Sequence, residues 1–242
     1  MRRATQVSPS SRPAAQPRVW LFDLDDTLHD ASTASMPHLH VSFGDYIQTH
    51  LGLTQEEADA LRRRYWLRYG ATLLGLTRHH GVRAAHFLHH THLLPGLEAR
   101  VRGHGADLSA LARLPGRKVI LTNAPAAYAW RVLRALGIQR WFDGVLSIED
   151  MCMFGTLRPK PDARMLRHVA ARLGVPPSCC VLVEDTLVHQ KAARRVGMQT
   201  VWMQRWSRAA HARRLPAAAF RPGRPAYVDR RVVHLRELLR SG

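Results

Sequence analysis

At 242 residues, with 46% hydrophobic and 22% charged side chains, the chain is long enough for one large domain, or for a domain with a smaller insertion, around a sizeable core. Lys plus Arg total 36 against 18 for Asp plus Glu, a formal charge of +18, and since only Lys118, Lys160 and Lys191 are lysines the excess is arginine spread over the whole chain, which reads as a compositional bias and not as one nucleic-acid-binding block. No apolar run reaches membrane-span length, the first residues lack a secretory signal, and the three cysteines (Cys152, Cys179 and Cys180) form neither a disulfide framework nor a zinc pattern, so the expectation is a cytoplasmic protein with reduced thiols and no membrane partner.

Residues 1–18 contain no acidic group and are rich in Arg, Ser, Pro and Ala, which predicts a disordered basic tail. The stretch VWLFDLDDTL, residues 19–28, follows. Its apolar run from Val19 to Phe22 predicts a strand buried on both faces. Three carboxylates then arrive within four positions, Asp23, Asp25 and Asp26. Two carboxylates about 4 Å apart repel by roughly 4 kcal/mol at an effective dielectric near 20, so such a cluster needs a metal ion, a Lys or Arg, or both. Alternation along an extended segment sends Asp23 and Asp25 to one side and Asp26 to the other. The bland reading, Asp and Thr as helix caps, accounts poorly for DLDDTL placed directly after a buried strand.

Between 32 and about 107 no strand-like run occurs. Segments 36–51, 54–69, 71–80 and 84–92 carry apolar residues at helical spacing, with Thr54 and Glu57 set as a capping box. Strand signals resume at KVILTN (118–123), and strand then alternates with helix: a helix over 125–136, GVLSIED, a helix over 162–173, CVLVED, a helix over 187–196, and QTVWM. This order predicts an α/β fold, a doubly wound parallel Rossmann-like sheet with a helical insertion after the first strand. The boundaries read as a core of 19–33 and 108–242 and an insertion of 34–107. Residues 204–242, with Arg205, Arg208, Arg213, Arg214, Arg221 and Arg224, read as a basic flank, then a short apolar piece at 226–228 and a final helix. A nucleic-acid-binding role for the basic ends is the alternative from a different functional class.

In such a sheet the site lies at the carboxyl ends of the strands. That places Asp23 and Asp25, Thr122 and Asn123, Lys160 from the loop LRPKPD, and Glu184 with Asp185 around one crevice. A hydroxyl, a main-chain amide and a Lys hold phosphate oxygens, and facing carboxylates suit Mg²⁺.

Together these residues resemble the haloacid dehalogenase superfamily in its phosphatase branch, over nearly everything from 19 to 204. The resemblance implies that Asp23 is the nucleophile that forms an aspartyl-phosphate and Asp25 the general acid and base. It further implies that Thr122, the amide of Asn123 and Lys160 hold the transferring group. Mg²⁺ would be bound by Asp23, the Asp25 main-chain carbonyl and Asp185, with Glu184 contributing through water. Dehalogenase members lack the second Asp, so Asp25 favours phosphate chemistry. RYWLRYGATLLGL, LPGRKVILTNAPAAYAWRVLRALGI, FDGVLSIEDM, RPKPD and VEDTLVHQKAARRVGMQTVWM are similar, more narrowly, to the pyrimidine 5'-nucleotidase family, with His189 and Ala124 as departures. That resemblance implies a helical cap over 34–107 and nucleoside monophosphates such as UMP and CMP as substrates; phosphatases of sugar phosphates or phosphoglycolate are the alternative. Cap residues Tyr65, Trp66 and Tyr69 are candidates for stacking on a base, against the plainer reading of Tyr65 and Tyr69 as a helix's core stripe. His92 matches a family His. The cap's other histidines, His79, His80, His86, His89 and His90, have no carboxylate among them and are not expected to hold a metal.

Overall fold

The computed structural model describes residues 18–212 and 223–240. The predicted basic tail, except Arg18, lies outside the described residues, as do Arg213, Arg214 and Arg221.

In chain order the strands are β1 (Val19–Phe22), β2 (Arg117–Leu121), β3 (Gly144–Leu146), β4 (Cys152–Met153), β5 (Thr156–Leu157), β6 (Cys180–Glu184), β7 (Gln199–Met203) and β8 (Arg230–Val232). The helices are α1 (Ala31–Ala34), α2 (Met36–Leu51), α3 (Gln55–Tyr69), α4 (Thr72–His80), α5 (Ala84–Thr91), α6 (Leu97–Arg100), α7 (Gly105–Arg113), α8 (Ala126–Ala135), α9 (Ala163–Arg172), α10 (Leu187–Arg195) and α11 (Arg205–Ala212). Six strands form one sheet in the order β3-β2-β1-β6-β7-β8, and every pairing in it is parallel. This is the α/β Rossmann-like arrangement that the alternation of elements predicts.

β1 is the central strand, and all four of its residues are buried. Its period of two splits them between the sheet's faces. Trp20 and Phe22 pack with Tyr128, Val132 and Leu133 of α8, whereas Val19 and Leu21 pack with Met165, Leu166 and Val169 of α9 and Ala192 and Ala193 of α10. From β1 the chain builds outward through β2 and β3, then returns to β6 on the other side of β1. The order therefore reverses between β1 and β6, and a crevice opens at their carboxyl ends. The Asp23 N–H reaches across it to the Val183 carbonyl at 2.9 Å.

A separate apolar cluster joins α2 to α5 through Tyr46, Ile47, Leu61, Tyr65, Leu73, Leu76, Phe87 and Leu88. The Thr54–Glu57 capping box starts α3 with both reciprocal hydrogen bonds formed. Gly75 lets α4 approach α3 closely: a Cβ there would sit 2.1 Å from the Tyr65 ring. Leu94, Leu97, Val101 and Leu111 pack with the sheet core and not with the α2–α5 cluster.

The short apolar piece at 226–228 precedes an edge strand that the sequence pattern does not mark, β8, built from Arg230, Arg231 and Val232. An edge strand with one solvated side tolerates two arginines, which hide it from a hydrophobic pattern. The predicted final helix is a 3₁₀ segment, Leu235–Arg240. The β4–β5 hairpin, two residues per strand, was not anticipated either.

Candidate functional site

The end of β1 delivers Asp23, 6% exposed, into the crevice. Its Oδ1 accepts from Lys160 Nζ at 2.7 Å, and its Oδ2 accepts from Thr27 Oγ1 at 3.1 Å. Glu184 ends β6, and its Oε2 accepts from the same ammonium at 2.7 Å. Lys160, 2% exposed, thus bridges two buried carboxylates from strands that are far apart in sequence. Burial opposes its charge, but Asp23 and Glu184 hold the ammonium above its usual range.

One cation does not balance this group. The carboxylate oxygens of Asp23, Glu184 and Asp185 lie within 4.8 Å of one another. Burial, then Glu184, push the Asp23 carboxyl up to about 7. Burial, then Glu184 and Asp23, raise Asp185 well above the ordinary carboxylate range. Burial also works against ionised Glu184, yet Lys160 and His189, whose Nδ1 is 3.1 Å from Oε2, hold its carboxyl low. No Lys, Arg or His pairs with Asp185 among the described residues; its Oδ1 accepts from Thr186 Oγ1 at 3.2 Å. Three convergent hard oxygen donors with unbalanced negative charge fit a Mg²⁺ ion.

Asp25 points into the same cavity as Asp23. Its Oδ1 accepts from the Tyr128 hydroxyl at 2.6 Å and from His29 Nε2 at 2.9 Å. Asp26 adopts a left-handed backbone, φ 54°, and its carboxylate is taken up by the Ser32 N–H and hydroxyl, from which it accepts at 2.8 and 2.5 Å. The Asp23–Asp25 pair expected from the spacing is therefore formed by a turn, since β1 ends at Phe22.

Thr122 is buried past β2, and its Oγ1 accepts from the Ala124 N–H at 3.0 Å. The Asn123 side chain clamps the main chain of Lys160: Oδ1 accepts from its N–H at 2.9 Å, and Nδ2 donates to its carbonyl at 3.0 Å. Asn123 thereby fixes the Lys160 backbone from a separate loop.

Asp23, Asp25, Thr122, Asn123, Lys160, Glu184 and Asp185 line a cavity of about 370 Å³ whose other wall comes from α2–α5, with Phe43, Trp66, Leu73, Phe87, Leu88 and the adjoining His92. The cap aromatics are not brought together there. Trp66 is 62% exposed at this cavity and continues into a further one with Arg62 and Arg63. Tyr65, a candidate for stacking on a base or for a helix's core stripe, is a core residue at 4% exposure whose hydroxyl shares a hydrogen bond with His80 Nε2 at 2.7 Å. Its neighbour Trp66 faces outward because consecutive helical positions diverge by about 100°. Tyr69 lines a different cavity, of about 840 Å³, bounded by Arg78, Glu149 and Arg158. His92 lies with its ring 5.9 Å from the Tyr128 ring, and burial drives its imidazole down to about 4.

Sequence reasoning missed Tyr128, His29, Thr27 and Ser32. Tyr128 sits 103 residues from Asp25 and reads as one more apolar position of an amphipathic helix. Thr27 and His29 were within view, beside the aspartates.

Residues 17–197 match the haloacid dehalogenase-like hydrolases. The chain belongs to that family. Among haloacid dehalogenase-like proteins of known structure it resembles a phosphatase of this superfamily from Thermococcus onnurineus (TM-score 0.60, 21% identity, covering 92% of this chain and 96% of that one). It also resembles the magnesium-bound hydrolase YfnB of Bacillus subtilis (TM-score 0.58, 16% identity, covering 93% and 97%). Both similarities speak to the fold. By sequence it is 26% identical to "Phosphate metabolism protein 8" of Saccharomyces cerevisiae over 80% of this chain and 64% of that protein. It is 35% identical to fructose-1-phosphate phosphatase YqaB of Escherichia coli over 33% of this chain and 40% of that protein. The chain thus spans less than two thirds of both relatives. Glyceraldehyde 3-phosphate phosphatase of Methanothermobacter thermautotrophicus is 25% identical over 74% of this chain and 82% of that protein. Among the described residues no helix is long and apolar enough to cross a membrane.

Proposed function

We propose that this hydrolase is a Mg²⁺-dependent phosphomonoesterase that cleaves pyrimidine nucleoside 5'-monophosphates through an aspartyl-phosphate on Asp23. The observation that supports it most is the Lys160 bridge between Asp23 and Glu184, beside an Asp185 that pairs with no cation among the described residues. Asp23, the Asp25 main-chain carbonyl and Asp185, with Glu184 through water, would hold Mg²⁺, which would supply positive charge against the crowded carboxylates and the phosphoryl oxygens.

The chain's own groups divide the remaining work. Asp23 Oδ2, oriented by Thr27, attacks phosphorus and forms an acyl phosphate as the P–O bond to the leaving group breaks, while Lys160, Thr122 and the Asn123 amide hold the non-bridging oxygens. The leaving oxygen takes a proton from Asp25, which then accepts one from the water that hydrolyses the aspartyl-phosphate. Tyr128 and His29 keep the Asp25 carboxyl turned to that position. The helices α2–α5 serve as the cap that shields this chemistry, and Trp66 and His92 at its face meet the leaving group. A planar base stacked on an exposed indole suits that wall.

A second reading is favoured by the named activities of two relatives, which are phosphatases of small sugar phosphates. One panel separates the two. Phosphate release is measured from UMP, CMP, fructose 1-phosphate, glyceraldehyde 3-phosphate and phosphoglycolate with and without Mg²⁺. Preference for UMP and CMP, with a raised KM in Trp66→Ala, supports the nucleotide reading; preference for the sugar phosphates with KM unmoved in Trp66→Ala refutes it.

A further inference from the structure

The place His92 takes on the cavity wall decides which of its nitrogens carries the proton. His92 ends α5, half-buried, and its Nδ1 is turned back to that helix, 3.2 Å from the Leu88 carbonyl oxygen and 2.9 Å from Thr91 Oγ1. A carbonyl oxygen only accepts. The Thr91 hydroxyl donates its one proton to the Phe87 carbonyl at 2.7 Å, which leaves its oxygen an acceptor as well. Nδ1 therefore faces two acceptors and is the nitrogen that bears the hydrogen. An unprotonated Nδ1 would set its lone pair against the Leu88 oxygen.

The ring is also neutral. Burial opposes the imidazolium more strongly than Asp25, the Leu88 carbonyl and Glu149 together favour it. In a neutral imidazole one nitrogen donates and the other accepts, so Nε2 presents a bare lone pair. The Nδ1 edge is taken up by α5, and the Tyr128 and Phe43 rings pack against the imidazole with centroids 5.9 and 5.8 Å away. What remains for the cavity that His92 lines with Asp23 and Asp25 is the Nε2 edge, and among the described residues Nε2 has no hydrogen-bond partner. The same Tyr128 carries the hydroxyl that donates to Asp25 Oδ1, which sets His92 on the side of the crevice where the leaving oxygen takes its proton. An acceptor there can take a hydrogen bond from the leaving group and can give none to it.

We propose that His92 is a specificity-determining residue whose Nε2 accepts a hydrogen bond from a hydroxyl of the leaving group, so that the enzyme selects phosphate esters of hydroxylated alcohols, such as the ribose of a nucleoside 5'-monophosphate, and rejects phosphoglycolate. This deepens the phosphomonoesterase reading of the crevice and rests on it. The glycolate group offers carboxylate oxygens and no donor. Turned to Nε2, it would oppose a negative charge to a lone pair, and the neutral ring has no proton to place between them.

The test measures kcat and KM at saturating Mg²⁺ for UMP, its 2'-deoxy and 3'-deoxy analogues and phosphoglycolate, with the full chain as wild type, His92→Ala and His92→Gln. The nitrogen NMR spectrum of the wild-type imidazoles reads the tautomer directly. One deoxy analogue is expected to lose about tenfold in kcat/KM with the wild type, the effect of one hydrogen bond. His92→Ala is expected to lose about the same factor on UMP and nothing more on that analogue, because either change alone removes the bond. His92→Gln, whose amide both donates and accepts, is expected to raise phosphoglycolate relative to UMP by about fivefold or more. The spectrum is expected to show His92 with a protonated Nδ1 and a bare Nε2 at neutral pH. Equal turnover of UMP and both deoxy analogues by the wild type, a deoxy penalty that survives in His92→Ala, wild-type preference for phosphoglycolate over UMP, or a His92 ring protonated at Nε2 would overturn the inference and leave the phosphatase chemistry of Asp23 standing. No turnover of any of the four esters would overturn both. If His92→Ala does not fold, the wild-type comparison, the spectrum and His92→Gln decide.

Discussion

Asp185→Asn should stabilise the metal-free protein, although it removes a residue placed in the binding machinery. Asp185 is a buried carboxylate with its pKa raised by burial, Glu184 and Asp23. A group whose folded pKa lies above its unfolded value of 3.8 gives up stability as pH rises through that interval, so near pH 7.5 the metal-free fold carries the penalty. Its size follows from the separation. At 4.8 Å, the outer limit for these oxygens, two like charges repel by about 3.5 kcal/mol at an effective dielectric of 20. Asn keeps the shape and removes the charge, so with chelator present the variant should melt about 7–14 °C above the wild type. Saturating Mg²⁺ reverses the order of benefit. The wild type gains about 2.7 kcal/mol at a hundredfold excess over Kd, and the variant gains almost nothing. The assay is a pair of thermal melts, with chelator and with Mg²⁺. An Asp185→Asn protein that melts below the wild type in chelator, or that gains as much from Mg²⁺, would refute the claim that charge crowding defines this site.

Three further outcomes are expected. Tyr128→Phe removes the hydroxyl that donates to Asp25 Oδ1 and accepts from the Ser35 hydroxyl while keeping the ring, so kcat should fall about tenfold to a hundredfold with KM and Tm nearly unchanged, as steady-state kinetics and a melt will show. Gly75→Ala drives a methyl into the Tyr65 ring and should cost about 3 kcal/mol; in a double-mutant cycle with Tyr65→Ala the two costs should fall short of additivity by more than about 1 kcal/mol. His92 is buried neutral with its pKa lowered from 6.5 to about 4, so the unfolded chain binds its proton first and stability is lost as pH falls from 6.5 towards 4. His92→Gln should remove about 3 kcal/mol of that loss, read from chelator-containing melts at pH 7 and pH 4.

Much of this architecture is written in short-range chemistry. The helix starts and stops follow capping boxes and glycines, as at Thr54–Glu57 and at Gly52, which adopts φ 67° past α2. The buried strands are unbroken apolar runs, and the site carboxylates stand where those runs end. What was not legible depends on distance or on weak pattern. Arg230 and Arg231 give β8 no hydrophobic signature, and only the exposed edge of β7 makes them a strand. Tyr128 and Asp25 meet because α8 packs under β1, a contact no local spacing encodes. Along α3 the pattern marks aromatics but not their faces, so Tyr65 goes inward to His80 while Trp66 takes the cavity.

The central claim is that Asp23 attacks a phosphate ester in a Mg²⁺-dependent reaction, and the most direct measurement is phosphate release from the monophosphate panel by the wild type and by Asp23→Asn. Turnover by the wild type that requires Mg²⁺ and disappears in Asp23→Asn is the predicted result. No turnover of any ester with Mg²⁺ present, or equal turnover by the two proteins, would contradict it.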